Sequence, residues 1–155
     1  MDMKILKPII CLVMGLLFFF WYAEARPKIK LQEAVTKKLK EIIETSGDLH
    51  AELVEGDEID VLKKLSLLNT KVEECRKQSV KDKPNHMHLN RVLNTIQQSI
   101  STAKRVKSDR KRALKEMYHQ ITNLPRAYKI QGKFKIFFCR RDKSIWVQNT
   151  WKKHN

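Results

Sequence analysis

Glycine and proline are scarce in this chain, with four of each among 155 residues. So few breakers exclude a fold of many short elements joined by tight turns, and they leave long uninterrupted stretches. Cysteine is equally scarce. Of the three present, Cys11 lies in the N-terminal apolar run, which leaves Cys75 and Cys139 for the body of the protein. A disulfide-dense scaffold is thereby excluded. No Asn-x-Ser/Thr triplet occurs, so N-linked glycans are not expected. The longest apolar run, residues 9–22, has 14 residues, short of the roughly 20 that cross a bilayer as a helix. Serine and cysteine nucleophile motifs are missing, as are glycine-rich phosphate loops. Acidic side chains are the last shortage: residues 81–155 hold 4 against 19 basic ones.

The N-terminus reads as an export signal. Lys4 and Lys7 precede the apolar run, and Ala23-Glu24-Ala25 puts small residues at the two positions a signal peptidase reads. Cleavage between Ala25 and Arg26 is expected, giving a signal peptide over residues 1–25 and one secreted domain over residues 26–155. The alternative is an uncleaved signal anchor. The expected location is extracellular. The mature 130 residues suffice for one modest core. Residues 26–80 carry 11 basic and 11 acidic side chains, so the whole net charge of +15 sits in residues 81–155. One half of the molecule therefore seeks anions. Outside a cell these are heparan sulfate, acidic receptor surfaces, anionic membranes and stray nucleic acid. An oxidising compartment makes one Cys75–Cys139 disulfide the simplest use of the remaining pair. It would close a 65-residue loop, worth about 4 kcal/mol in the chain-entropy description. Two free thiols or an intermolecular bridge are the alternatives.

Periodicity predicts an all-α, small four-helix-bundle-like domain with a short β-hairpin near the C-terminus. Residues 30–45 repeat Leu31, Val35, Leu39, Ile42 and Ile43 at helical spacing, with Gly47 as the stop and an acidic link over residues 48–58. Residues 57–78 repeat Ile59, Leu62, Leu65, Leu68, Val72 and Cys75, which puts Cys75 on the buried face. A polar loop containing Pro84 precedes Leu89, Val92, Leu93, Ile96, Ile100 and Ala103, and a further stretch over residues 110–124 ends before Pro125. Residues 104–109 leave open whether the last two stretches are one helix, with Ser108-Asp109 as a candidate cap. Beyond Gly132, Phe134, Ile136 and Phe138 alternate with Lys133 and Lys135 as in a strand. Residues 140–143 then read as a turn and residues 144–151 as a return strand or a short helix. A fourth bundle helix over residues 134–150 fits the same side chains.

No catalytic constellation assembles from these residues. His86 and His88 are two apart and lack nearby Cys, Asp or Glu partners, so they are expected to be solvated, as is His119. An enzyme, a metal site and a cofactor are not expected. Basic clusters are the strongest positive feature. Lys104, Arg105, Lys107, Arg110, Lys111, Arg112 and Lys115 crowd twelve residues, with Lys104, Lys107, Lys111 and Lys115 at the spacing of one helical face. Lys133, Lys135, Arg140 and Arg141 belong to a second group interleaved with Tyr128, Phe134, Trp146 and Trp151. Unopposed like charges at such spacing cost stability. A polyanion such as heparan sulfate is therefore the expected partner, without specific nucleic-acid recognition. The bland alternative is a solvated face that confers solubility.

A secreted single domain of amphipathic helices with few cysteines looks like a helical cytokine. Residues 29–43, Ile-Lys-Leu-Gln-Glu-Ala-Val-Thr-Lys-Lys-Leu-Lys-Glu-Ile-Ile, and Cys75-Arg76 late in the second helix resemble the interleukin-4 and interleukin-13 group. The resemblance implies a ligand of a cell-surface receptor, bound through the outer sides of its first, third and last helices. On this chain it implicates Lys37, Lys40, Glu41 and Arg91. The family's several disulfides are missing, and short connections fit antiparallel neighbours better than its two long crossovers. Residues 138–149, Phe-Cys-Arg-Arg-Asp-Lys-Ser-Ile-Trp-Val-Gln-Asn, are similar to the last cysteine strand and C-terminal helix start of chemokines, without their paired N-terminal cysteines. Residues 110–124 are similar to the last helix of type II interferon. The likenesses share an extracellular helical ligand. The alternative class is a secreted cationic effector acting by charge on membranes, glycans or a gamete coat.

Overall fold

The computed structural model describes residues 27–149, so the expected signal peptide, the Ala25–Arg26 cleavage site and Trp151 lie outside the described residues. Four helices come first: α1 (Glu33–Glu55), α2 (Glu58–Ser79), α3 (His86–Arg105) and α4 (Arg110–Ala127). An antiparallel hairpin of β1 (Phe134–Phe138) and β2 (Ile145–Asn149) follows. The protein is mainly helical, with its hairpin near the C-terminus. None of the described helices is long and apolar enough to cross a membrane.

The helices pack in chain order, α1 on α2, α2 on α3 and α3 on α4, while β2 lies across α1 and α4. The links, residues 56–57, 80–85 and 106–109, are short enough only for reversals, so neighbours run antiparallel. This order lacks the two long crossovers of an up-up-down-down cytokine bundle. Inside it, Val35, Leu39, Ile42 and Ile43 of α1 meet Leu65, Leu68 and Val72 of α2, all fully buried. Leu89, Leu93, Ile96 and Ile100 of α3 and Met117, Ile121 and Leu124 of α4 complete the core. Each full burial contributes about 1.5–3 kcal/mol before the entropy of ordering the chain is subtracted.

Several boundaries differ from those the sequence suggests. α1 does not stop at Gly47 but continues to Glu55, absorbing most of the acidic link. The apolar face continues through Leu49 and Leu53, and that outweighs one glycine's propensity cost of about 1 kcal/mol. Gly47 packs beside β2, where a Cβ would make ordinary contact, 3.7 Å from both the Val147 carbonyl oxygen and Gln148 Cγ. Asp57 caps α2 by accepting the Asp60 N–H at 2.8 Å. The face of α2 is rotated at its start, so Ile59 is exposed and Val61 is buried in its place. Pro125 lies within the last turn of α4 and not beyond it, where it removes only one backbone donor. A parallel bridge ties that end of α4 to the start of the domain, with Ile29 N–H donating to the Ala127 carbonyl at 2.9 Å.

The chain does break between residues 105 and 110. Arg110 makes the reversal. Its Nε donates to the Ala103 carbonyl at 2.9 Å, and its guanidinium reaches Glu58 at 3.2 Å. Asp109 precedes α4 without a side-chain capping bond.

The expected Cys75–Cys139 disulfide is not formed, and both cysteines are free. Cys75 is fully buried at the end of the bundle shared with Lys38 and Tyr128. Cys139 is at the opposite end, beside Asp142, whose carbonyl takes the Lys115 ammonium. Lys115 and Tyr128 are 13 residues apart on and just past α4, which is about 20 Å along a helix. A disulfide needs Cα atoms within roughly 7 Å. Burial pushes the Cys75 thiol up to about 12, so it is inert as a nucleophile at neutral pH. In native protein, an alkylating reagent should modify half-buried Cys139 and spare Cys75 until denaturant is added. Peptide mapping that finds the two linked would contradict this arrangement.

Candidate anion-binding surface

The hairpin is held by β2. Val147 is fully buried between α1 and α4. Trp146, half-buried, stacks on His50 of α1 with ring centroids 4.2 Å apart and on Phe137 across the hairpin at 5.6 Å. Tyr118 of α4 meets the His50 ring edge-on at 6.0 Å, and its hydroxyl donates to the Ser46 carbonyl at 3.1 Å. Strand β1 forms where the alternation predicts, yet Ile136, Phe137 and Phe138 are exposed. Alternation distinguishes two faces of a strand without saying whether either is covered.

A tight turn joins the strands. Asp142 Oδ1 accepts both the Ser144 N–H at 3.0 Å and the Ser144 hydroxyl at 2.7 Å. These two bonds and the adjacent Cys139 hold its carboxyl far below the usual carboxylate range. Lys143 takes the left-handed conformation, with φ 58°. Lys115 donates from α4 to the Asp142 carbonyl, which pins the turn against the helix.

That bond brings part of two basic clusters together. Lys111 and Lys115 of α4 and Arg141 of the turn line one groove, while Arg112 and Lys143 line the adjacent one with Lys115. Lys111, Arg112 and Arg141 are exposed. The remaining expected anion-binding residues are placed elsewhere. Lys104, Lys107, Lys111 and Lys115 do not line one helical face, because the chain reverses between α3 and α4. Lys104 donates to Ser66 Oγ on α2 at 2.9 Å. Lys107 pairs with Glu58 at 3.1 Å, and Arg110 with Glu58 and the Ala103 carbonyl, so these two cations are engaged in structure. Arg105 faces a shallow groove with Arg76 between α2 and α3. Arg140 is exposed at the turn, and Lys133 and Lys135 are exposed before and on β1.

The receptor residues implied by the interleukin resemblance fall on two helices, α1 and α3. Lys37 is exposed, and Lys40 stands 4.0 Å from Glu44. Glu41 is tied into an α1–α2 network with Lys38 at 3.2 Å and Lys71 at 3.0 Å, and Lys38 reaches Glu74 at 2.8 Å. Burial pushes the Glu41 carboxyl up, but the two lysines outweigh it and hold it below its ordinary value. Arg91 is exposed on α3, diagonal to α1 in the bundle.

Two histidines have structural partners that composition alone could not reveal. His88 Nδ1 is 2.6 Å from the Tyr128 hydroxyl, and His86 Nδ1 is 3.3 Å from Ser79 Oγ. His119 is exposed. No cluster of three or more metal-ligating side chains occurs among the described residues. His50 is different, since burial lowers its pKa below the ordinary 6.5 and Asp142 opposes only in part. The folded domain therefore resists protonation of this ring. Its contribution is complete above pH 6.5 and is lost as the pH falls through the lower folded value. Urea midpoints taken between about pH 7 and pH 5 should fall. In a His50→Gln variant they should fall less.

No family model matches the chain, and neither does any curated protein or solved structure.

Proposed function

We propose that this chain is a secreted helical ligand of the cell surface, held there by sulfated glycans and acting, as a cytokine does, through a receptor. One observation carries the reading. Lys111, Arg112, Lys115, Arg141 and Lys143 come from two separate stretches and converge where α4 meets the hairpin. A chain binds a polyanion more tightly when its cations are presented together by a fixed scaffold than when they are scattered along a flexible segment. The export-like N-terminus and the neutral first half support the rest, the latter by leaving the α1–α2 side for a partner without strong charge. The experiment is a pull-down of the secreted protein against a panel of receptor ectodomains, with and without heparin. Capture of a receptor in both conditions is expected.

The second reading is a cationic effector acting on anionic membranes or coats. It is favoured by the hairpin, where exposed Phe137 and Phe138 adjoin Arg140 and Arg141. In that case leakage from anionic vesicles should accompany binding, and no receptor should be captured.

A further inference from the structure

The groove under the hairpin turn has a second chemical character besides charge. It lies between the C-terminal end of α1, the first half of α4 and the start of β2, and its volume is about 590 Å³. Leu53 and Val54 of α1, Leu114 of α4 and Trp146 of β2 supply apolar walls, Lys111, Lys115 and Arg141 supply cations, and Asp142 supplies one carboxylate. Val54 is 69% exposed although it faces this groove. Val54 does not stand alone on the surface but joins Leu53, Leu114 and Trp146 in one apolar lining beside the cations.

Two acids lie nearby. Asp142 lines the groove as a carboxylate hydrogen-bonded by Ser144 and facing Lys115, and Glu58 pairs with Lys107 and Arg110. Lys115 donates to the Asp142 carbonyl and also feels that residue's carboxylate, so its charge is partly offset. Lys111 and Arg141 have no carboxylate partner among the described residues. A sulfated glycan fits the cations but has nothing to offer the leucine, valine and indole surfaces. A neutral lipid fits the walls but leaves Lys111 and Arg141 uncompensated. The volume falls within the roughly 300–1,000 Å³ of ligand sites that combine apolar lining with a few placed polar groups.

We propose that this groove binds a small anionic amphiphile, a single-chain lipid with a carboxylate or phosphate head. The head sits among Lys111, Lys115 and Arg141, and the chain lies against Leu53, Val54, Leu114 and Trp146. The site shares Lys111, Lys115 and Arg141 with the glycan reading, and its failure is distinguishable from the failure of that reading because the binding measurement uses no glycan and no receptor.

The test is calorimetric titration of protein secreted from cells expressing the full chain. Four probes are used, each below its micelle concentration: oleate, oleoyl lysophosphatidate, monooleoylglycerol and inorganic phosphate. At least one of the two lipid anions should bind, and the stronger identifies the head. The neutral lipid and free phosphate should bind at least tenfold more weakly. Reversing both Lys111→Glu and Arg141→Glu should weaken the lipid anion about tenfold or more, while Lys83→Glu with Arg91→Glu, the same change in net charge away from the groove, should not. Val54→Asp, which puts an anion on the exposed rim and spares the core, should weaken the lipid anions with helicity unchanged. Equal binding of the neutral lipid, equal loss in the distant control pair, or no binding of either lipid anion would overturn the proposal.

Discussion

Charge reversal of Lys111, Arg112, Arg141 and Lys143 to glutamate should abolish retention on heparin at physiological salt while leaving the helical content intact. Each of these side chains is exposed, so each contributes modestly on its own. Exposed ion pairs are worth about 0.2–1 kcal/mol apiece, and reversal both removes an attraction and adds a repulsion. Four together should lower affinity about a hundredfold. Lys115 is left unchanged because it anchors the turn to α4, and its loss would confound binding with hairpin position. Lys107 and Arg110 are left for the same kind of reason, since both pair with Glu58. Measured in graded steps, the series also separates the two functional readings. Receptor signalling should persist in heparin-free assays as the reversals accumulate, whereas an effector's activity should fall in step with heparin affinity.

The second large effect concerns Val147. This one side chain of β2 is fully buried against α1 and α4 as part of the apolar core, so Val147→Asp places a carboxylate inside that core. Burying an unpartnered charge costs about 3 kcal/mol or more, a large share of the 5–15 kcal/mol by which a domain is stable. Val147→Ala should cost about 2 kcal/mol through the cavity alone. Urea unfolding followed by circular dichroism reads both. If Val147→Asp changes stability by less than about 0.5 kcal/mol, the hairpin is an appendage and not part of the core. Loss of the hairpin should also lower heparin affinity, because Arg141 and Lys143 would leave the side of α4.

Most of the fold was legible because periodicity reports directly on burial. The repeats of Val35, Leu39 and Ile42, of Leu65, Leu68 and Val72, and of Leu89, Leu93 and Ile96 all face inward. The hairpin was legible only in part: Gly132 and the alternation point to a strand and residues 140–143 to a turn, while residues 144–151 fit a strand or a helix until β2 pairs with β1. Gly47 misleads because propensity is a weak prior. The apolar face that runs on through Leu49 and Leu53 outweighs it. The cysteine pair misleads similarly, since parity and compartment say nothing of distance. An end-to-end separation along α4 decides it.

The basic surface was half legible. Sequence density located the cations, but it could not tell that Lys107 and Arg110 are held by Glu58 or that the turn would bring Arg141 to Lys111. Both facts come from the reversal at residues 106–109 and the Lys115 bond to the turn. The stacking of Trp146 on His50 went unnoticed for the same reason, as the two meet only when β2 crosses α1.

The most direct measurement is elution of the wild-type protein from heparin in a salt gradient. A converged cationic surface predicts retention at physiological ionic strength, where screening already acts beyond about 8 Å, and release only as salt rises well above it. Passage through the column at physiological salt would contradict the account and leave the basic side chains as solvated surface.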